Sequence, residues 1–289
     1  MTIFTVLYNL ITHKKTSYYR ITHNSYYSTI NDTGKYGEYL IYRCLQKYEK
    51  DSSRFLFNVY IPKENEETTE IDVIMISPHG VFVFESKNYS GWIFGNAEQL
   101  KWTQTLPQGR GRSHKEHFYN PIMQNASHVK HLRSLIGESI PIHSVIVFSE
   151  RCTLKNVAIN DDSIFVIKRD ELSNLVKYIC SQSETVALTK EEIKKIYESL
   201  FRYTQVDDSI KQQHIANINS HTVKNDVDTQ YTESSAEIHQ PNIAVCPKCG
   251  GTLVLRTAKR GENAGNTFYG CSNYPKCRYI KAVETSTPI

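Results

Sequence analysis

The chain has 289 residues, of which 39% are hydrophobic and 22% are charged, and its formal net charge is +4. These values lie near globular averages, which argues against a disordered, collagen-like or membrane protein. No apolar run reaches the roughly 20 residues that a membrane helix needs, and the N-terminus lacks the basic start and cleavage site of a signal peptide. We therefore expect a cytoplasmic protein, long enough for one sizeable domain and a smaller second one.

The first part of the chain changes character at residue 34. Residues 1–33 are polar and rich in tyrosine, and the sequence assigns no role to this N-terminal extension. Apolar residues then recur at helical spacing and predict a helix over about 35–49. A strand is predicted over 55–61. Two further strands, 71–76 and 81–85, flank a Ser-Pro-His-Gly turn, which predicts a hairpin.

The elements that follow are predicted from turn and cap signals. The segment 92–102 indicates a short strand or hairpin, and 107–117 is predicted to be a basic loop. Arg110, Arg112 and Lys115 of this loop are candidates for binding nucleic acid. Further elements are a helix from Pro121, capped by Asn120, to about 136, strands at 144–148 and 164–167, and a helix at 190–201 with a capping box of Thr189 and Glu192.

This order of elements predicts an α/β or α+β domain over 34–203. The following stretch, 204–242, is rich in Asp, Ser, Thr, Gln, Asn and His and has no apolar period, which predicts a flexible linker. It carries two Lys against six acidic residues, whereas residues 243–289 carry seven basic residues against two Glu. The positive charge is therefore concentrated at the C-terminus, where it would suit a nucleic-acid-binding surface.

The predicted hairpin places two carboxylates opposite each other. If Ser77 pairs with Gly80, cross-strand pairs sum to 157, so Asp72 faces Glu85, and like charges in that position destabilise a sheet. A divalent cation such as Mg²⁺ would compensate, and Lys87 would point to the same face as Glu85. A solvated polar face is the alternative, but the strand before Glu85 is continuously apolar and favours a buried site.

The segment Gly80-Val81-Phe82-Val83-Phe84-Glu85-Ser86-Lys87, with Ile71-Asp72 before it, resembles the NERD (nuclease-related) domain, a branch of the PD-(D/E)xK nucleases. The resemblance covers about residues 34–150. It implies a restriction-endonuclease-like mixed sheet flanked by helices, in which Asp72 and Glu85 bind Mg²⁺ or Mn²⁺ and Lys87 assists the attacking water. It also implies roles for a carboxylate on the first core helix, here Glu38, and for a glutamine on the helix after the basic loop, here Gln124. A simple surface position is the alternative for Glu38.

The same helix departs from some relatives in one position. Those relatives follow the glutamine with a tyrosine four residues later, where this chain has His128. His128 and His131 are expected to be helix-surface histidines, and a metal-binding pair is the alternative.

Four of the seven cysteines lie in the last 45 residues. A Cys-x-x-Cys knuckle at Cys246 and Cys249 and a second pair at Cys271 and Cys277 would fill all four positions of a tetrahedral Zn²⁺ site. The metal would be structural, and it would supply the folding energy that so short a segment lacks. Redox chemistry is the alternative.

Residues 270–277 resemble the C-terminal zinc fingers of bacterial type IA topoisomerases, which implies that a zinc ribbon over 243–285 binds DNA, possibly single-stranded. Aromatic and basic residues alternate here, a composition suited to stacking bases and neutralising phosphates. Core packing of some aromatics and a protein-binding ribbon are the alternatives. The candidate nucleic-acid-binding residues of the ribbon are Phe268, Tyr269, Tyr274, Lys276 and Arg278.

Together these features predict a metal-dependent nuclease that hydrolyses DNA phosphodiester bonds and carries a DNA-binding ribbon. A non-catalytic nucleic-acid-binding or repair scaffold, and an RNA nuclease, are the alternatives.

Overall fold

A computed structural model of the chain describes residues 3–64, 67–109, 112–159, 163–182, 186–217, 246–249, 253–257, 267–271 and 276–282. The chain divides into two compact units, Met1–His221 and Thr222–Ile289. None of the helices in these described ranges is long and apolar enough to cross a lipid bilayer.

The first unit contains both helices and strands, each numbered in chain order. Its helices are α1 (Ile3–Lys14), α2 (Ser17–Thr22), α3 (Tyr26–Asn31), α4 (Thr33–Leu45), α5 (Pro121–Ile136), α6 (Leu172–Gln182), α7 (Lys190–Phe201) and α8 (208–217). Its strands are β1 (Arg54–Pro62), β2 (Thr68–Ser77), β3 (Gly80–Lys87), β4 (Gly91–Asn96), β5 (Lys101–Gly109), β6 (Arg112–Tyr119), β7 (Ile142–Phe148), β8 (Cys152–Ala158) and β9 (Ile164–Lys168).

The strands form two sheets. The first has the order β1-β2-β3-β7-β9, with β1, β2 and β3 antiparallel and β3, β7 and β9 parallel. The second has the order β6-β5-β4-β8. Helices pack against the first sheet, so the predicted mixed α/β architecture with flanking helices is confirmed.

The core follows from the apolar strands at the centre of the first sheet. β3 is buried from Gly80 to Glu85 and contacts α4 and α5, while α7 packs on β1. A smaller apolar cluster joins the inner face of the second sheet, through Ile93 and Trp102, to Ile146 and Phe148 of β7. The two sheets therefore share β7 as their common support.

Several predicted elements agree closely with the structure. The β2–β3 turn pairs Ser77 with Gly80, whose φ of +115° favours glycine, and the predicted register holds from there to the Val73–Phe84 pair. Asn120 caps α5 through the Ile122 amide. Thr189 and Glu192 form the predicted capping box of α7.

Two predicted segments are corrected. The prediction of a basic loop at 107–117 is wrong, because residues 107–109 and 112–117 belong to paired strands. β5 and β6 pair from Lys101–Tyr119 to Gly109–Arg112. The sequence hid this strand because β6 is exposed at nearly every position and shows no alternation. Within the predicted linker at 204–242, residues 208–217 form α8, in which His214 is buried and contacts Thr68 of β2. The remainder of this prediction, 218–242, lies outside the described residues.

The N-terminal extension is also structured. The buried ring of His13 lies among the rings of four tyrosines, Tyr18, Tyr19, Tyr26 and Tyr39. Tyr18 in turn packs edge-on against Phe57 of β1, with 4.9 Å between ring centroids. α1, α2 and α3 thus cover part of the first sheet and of α4.

The second unit contains an antiparallel sheet of β10 (Leu253–Thr257), β11 (Thr267–Cys271) and β12 (Ile280–Ala282). The four cysteines lie at its loops and strand ends, as expected for a zinc ribbon.

Candidate active site and zinc centre

The end of β3 carries the first part of the candidate active site. Glu85 is 1% exposed, and both of its carboxylate oxygens have partners. Oε1 accepts a hydrogen bond from the Lys87 ammonium at 2.7 Å, and Oε2 lies 3.1 Å from Nε2 of His128. Glu85 and Lys87 share one face of the strand, as their spacing predicts, and form a partly buried ion pair.

Asp72 on the neighbouring strand completes the acidic pair. Regular pairing of β2 with β3 stops after Val73–Phe84, one position before Asp72 would face Glu85. The Ser86 amide instead donates a hydrogen bond to Asp72 Oδ2 at 2.8 Å. The hairpin therefore brings Asp72 to the end of β3 and holds it there through the backbone.

Glu38 reaches the same region from α4. Gly37 permits this approach, because a Cβ atom there would lie 2.6 Å from the Ser86 hydroxyl. Glu38 is 7% exposed, and its Oε2 accepts a hydrogen bond from the Asn58 side chain at 3.0 Å. The alternative of a surface position for Glu38 is therefore excluded.

Asn58 lies within β1 in a left-handed conformation, with a φ of +49°. By the register of the flanking pairs, Phe57–Val73 and Val59–Ile71, it lies level with Asp72 on β2. Asparagine is one of the few residues other than glycine that tolerate this conformation. The backbone turn directs its amide towards Glu38.

α5 supplies two more groups and is fastened to the sheet by an amide. The buried Asn125 side chain donates to the Val83 carbonyl at 3.1 Å and to the Ser144 hydroxyl at 2.9 Å. One residue before it, Gln124 Oε1 accepts a hydrogen bond from Lys87 Nζ at 3.0 Å. The structure thus brings Gln124 together with Lys87 and Glu85.

The expectation that His128 lies on the helix surface is wrong. His128 is 4% exposed, and its ring joins Glu85 on one side to the Thr69 hydroxyl on the other, with Nδ1 and Oγ1 2.7 Å apart. His128 lies four residues after Gln124, and residues at that spacing share one face of a helix. That spacing is the signal that could have placed it in the site, together with Gln124.

The charges of these buried groups influence one another. Burial, with the nearby charges of Glu85 and Glu38, raises the pKa of Asp72 well above its ordinary value. Burial also raises the pKa of Glu38 to about 8, against the smaller effect of the Asn58 hydrogen bond. The pKa of Glu85 is lowered, since Lys87 and His128 together outweigh the effect of burial.

Lys87 stays charged in this environment. Burial alone would lower the pKa of its ammonium group, but Glu85 and Asp72 outweigh burial and raise that pKa. The cluster therefore contains the Glu85–Lys87 ion pair beside two carboxyl groups whose pKa values are raised.

The donor set fits a hard divalent cation. Two buried carboxyl groups, Glu38 and Glu85, and the half-buried Asp72 converge on one region from three elements, and Mg²⁺ and Mn²⁺ prefer carboxylate oxygens. Burial is the main reason that the pKa values of Asp72 and Glu38 are raised, and a bound cation would favour their ionised forms. In the described part of the chain, only the cysteine cluster brings three or more ligand atoms within 4.8 Å of one another, so the carboxylates are less closely gathered.

The cysteine cluster is compact. The ligand atoms of Cys246, Cys249, Cys271 and Cys277 all lie within 4.8 Å of one another. The Cys246 and Cys277 sulfurs are 3.7 Å apart, and those of Cys249 and Cys271 are 3.3 Å apart. Tetrahedral ligation with Zn–S bonds of about 2.3 Å puts sulfurs about 3.8 Å apart, so the cluster fits a structural Zn²⁺.

The candidate nucleic-acid-binding residues have different environments. Arg110 and Tyr274 lie outside the described residues, whereas Arg112 and Lys115 are exposed on β6. In the ribbon, Lys276 and Arg278 are exposed, while Phe268 and Tyr269 are half-buried. Tyr269 packs against the cysteines, which agrees with the core-packing alternative for that ring.

Comparison with known proteins follows the same division. Residues 33–149 match the family described as nuclease-related domain (NERD), and residues 243–286 match the topoisomerase DNA-binding C4 zinc finger. An uncharacterized protein of Bacillus anthracis is 36% identical over 183 residues, which cover 63% of this chain and 82% of that protein.

Two further relatives match only a short part of the chain. DNA topoisomerase 1 of Helicobacter pylori is 42% identical over 52 residues, 18% of this chain and 6% of that enzyme. The uncharacterized protein YrdD of Escherichia coli is 46% identical over 41 residues, 14% of this chain and 20% of that protein. No solved structure matches the chain. The chain belongs to the nuclease-related domain family and ends in a topoisomerase-type four-cysteine zinc ribbon.

Proposed function

We propose that the protein is a divalent-cation-dependent nuclease that hydrolyses DNA phosphodiester bonds. One observation carries the proposal: a charged lysine, Lys87, is held by Glu85 and Gln124 at the end of a buried strand, beside Asp72. Burying a lysine and several carboxylates together is costly for stability alone, so such a cluster is typical of a functional site.

Each residue has a role that its contacts suggest. Asp72, Glu85 and Glu38 would hold Mg²⁺ or Mn²⁺. The bound cation would activate water and neutralise charge on the phosphate. The Lys87 ammonium would lie beside the attacking water and stabilise the negative charge that develops on the phosphate oxygens.

Gln124 and His128 would position these groups. Gln124 accepts a hydrogen bond from Lys87 and so fixes the direction of the ammonium group. His128 contacts the Glu85 oxygen that Lys87 does not use, and so restricts rotation of the carboxylate. Fixed groups need no reorganisation when charge develops, which is how a preorganised site accelerates a reaction.

The zinc ribbon is proposed to bind DNA and to raise its local concentration near the nuclease domain. Lys276 and Arg278 are exposed and can contact phosphates, and the match to a topoisomerase DNA-binding finger supports the same role. Its zinc would be structural, since four cysteines leave no position open for a substrate.

A non-catalytic nucleic-acid-binding scaffold is the second candidate. It is favoured by the finding that both oxygens of Glu85 already have protein partners. An RNA nuclease is a third candidate, because the carboxylates and Lys87 would act on phosphate and not on the sugar.

Cleavage assays on labelled single-stranded DNA, duplex DNA and RNA, with Mg²⁺, Mn²⁺ or excess chelator, separate these candidates. Lys87→Ala is expected to lower the rate by at least about 10²-fold, the usual effect of removing one charge-stabilising group. Lys177→Ala on the exposed surface of α6 is the matched control and should cleave like the wild type. Tight DNA binding without cleavage under any condition would contradict the nuclease and favour the scaffold.

A further inference from the structure

The second sheet packs one face against β7 and, in the described part of the chain, leaves its other face without a packed layer. Its inner face, with Ile93, Trp102 and Phe118, belongs to the apolar cluster on β7. The register assigns Trp92 and Phe94 of β4 to the opposite, outer face, because successive side chains of a strand alternate. Among the residues that the structure describes, no helix makes an extended contact with this sheet.

The outer face carries aromatic side chains in an exposed row. Trp92 is 40% exposed and Phe94 is half-buried, and they lie about 7 Å apart along β4. Tyr119 of β6 lies on the same face at the far end and is also exposed. Exposed aromatic rings on an open sheet are costly in water unless a partner covers them.

Basic residues stand beside these rings. The ammonium group of Lys155 on β8 lies 5.5 Å from the centre of the Trp92 ring. Lys115 on β6 shares the cross-strand row of Trp92, through Thr105 of β5, and is exposed. By the register, no described residue of β4, β5 or β6 on this face is acidic, since Glu116 of β6 pairs with Gln104 on the opposite face. The outer face is therefore complementary to a polyanion.

The position of the face relative to the candidate active site follows from the chain. Trp92 is five residues after Lys87, so their Cα atoms are at most about 18 Å apart. Gln104 of β5 donates to the Ser90 carbonyl, and Arg151 donates to the Asn88 carbonyl, which ties the segment after Lys87 to β5 and to the loop before β8. The end of the face that carries Trp92 therefore adjoins the end of β3.

We propose that this outer face, defined by Trp92, Phe94, Tyr119, Lys115 and Lys155, binds single-stranded nucleic acid and guides it to the carboxylate site. Bases would stack on the rings while the lysines contact phosphates, the combination by which open sheets hold single strands. A duplex keeps its bases stacked inside and cannot offer them to these rings. The proposal rests on the proposed nuclease function and names its substrate class.

The chain contains only two tryptophans, so fluorescence can report on the outer face separately. Trp102 is fully buried on the inner face, whereas Trp92 is exposed on the outer face. A base that stacks on Trp92 should quench its fluorescence, and DNA bound elsewhere should leave the emission unchanged.

The test titrates the full, zinc-loaded chain with unlabelled oligothymidylate in buffer without added divalent cations, and follows tryptophan emission. Binding is measured in parallel by the anisotropy of a labelled oligothymidylate. We expect saturable quenching that follows the anisotropy curve. Oligouridylate and a duplex of equal length serve as competitors, and the duplex should compete at least about tenfold less well.

Variants connect the signal to the face. Trp92→Phe should keep the affinity and lose the quenching, whereas Trp92→Ala should weaken binding by roughly tenfold, since stacking on one ring is of that order. Tyr178→Ala is the matched control, because Tyr178 is 58% exposed on α6 and should not affect binding.

The outcomes are distinct. Bound oligothymidylate without any change in emission would overturn the proposal and leave the nuclease and the ribbon untouched. Equal or stronger quenching by duplex DNA would overturn the preference for single strands. Quenching in a protein that cleaves nothing would support the face and contradict the nuclease. No binding of any nucleic acid would contradict the proposal as well.

Discussion

The two candidate metal centres differ in how their negative charges are balanced. The four cysteines are gathered within 4.8 Å, and two of them come from one Cys-x-x-Cys knuckle. The carboxylates come from α4, β2 and β3, and protein groups already stand beside them: Lys87, His128, Asn58 and the Ser86 amide. We infer that the ribbon needs zinc in order to fold, whereas the nuclease-related domain can fold without a metal at its carboxylates.

The largest effect is expected from removing zinc. Structural zinc supplies about 10–16 kcal/mol of folding free energy in small domains, so a chelator or Cys271→Ser should unfold residues 246–282. The first unit should keep its thermal transition within about 2 °C, because its core does not include these residues. Calorimetry with hydrogen exchange measures both.

Cys180→Ser is the matched control, since Cys180 is a half-buried thiol of the first unit, outside the cluster. DNA affinity should fall in Cys271→Ser and stay unchanged in Cys180→Ser. If a chelator unfolded the first unit as well as the ribbon, the inference that only the ribbon needs a metal to fold would be wrong.

A smaller effect is expected from pH, and it concerns the carboxylates alone. The folded-state pKa of Glu38 is about 8 against an ordinary 4.5, so between these values the folded chain holds a proton that the unfolded chain has released. Stability from this group is therefore fully present below pH 4.5 and is lost as the pH rises through about 8. Asp72 acts in the same direction.

The metal-free protein should lose several degrees of Tm across this window, since 1 kcal/mol corresponds to about 2–4 °C in a unit of this size. Mg²⁺ should restore the Tm increasingly at higher pH, because it binds the ionised carboxylates. Glu38→Gln should flatten the pH dependence, and the exposed Glu98→Gln should not. An unchanged slope in Glu38→Gln would contradict the buried carboxyl group.

The smallest effect is expected at His128, which acts through Glu85. Removing a hydrogen-bond partner of a metal-ligating group usually lowers metal affinity or activity about 10- to 100-fold. His128→Ala should therefore weaken Mn²⁺ binding, measured by calorimetry, by that factor, and His128→Gln should recover part of the loss. His131→Ala, three residues along the same helix, is the matched control.

Equal effects of His128→Ala and His131→Ala would show that Glu85 does not depend on its histidine partner. In that case, Lys87 alone would hold the Glu85 carboxylate in place.

The parts of the site that could be predicted from sequence are those with local spacing. The turn at Ser77–Gly80 fixes the register of β2 and β3, and the alternation of a strand then puts Glu85 and Lys87 on one face. The cysteine knuckle is equally local. The hydrogen-bond partners of the site residues are harder to predict from sequence, because the contact between Glu85 and His128 joins residues 43 positions apart.

The parts of the fold that were missed lack a local pattern. β6 is exposed along most of its length, so no alternation marks it as a strand. The short helices α2 and α3 are polar and contain only six residues each, and their packing depends on rings from several segments. Asn58 adopts its left-handed backbone inside a strand, which sequence alone does not indicate.

The packing of the N-terminal tyrosines limits where the first unit can be truncated. The family match begins at residue 33, yet Tyr18 and Ile21 are buried against the core of the same unit. A fragment that started at the family boundary would expose the apolar surface around Phe57 and Tyr39 to water and would tend to aggregate. In this chain, the segment that matches the family and the unit that folds therefore begin at different residues.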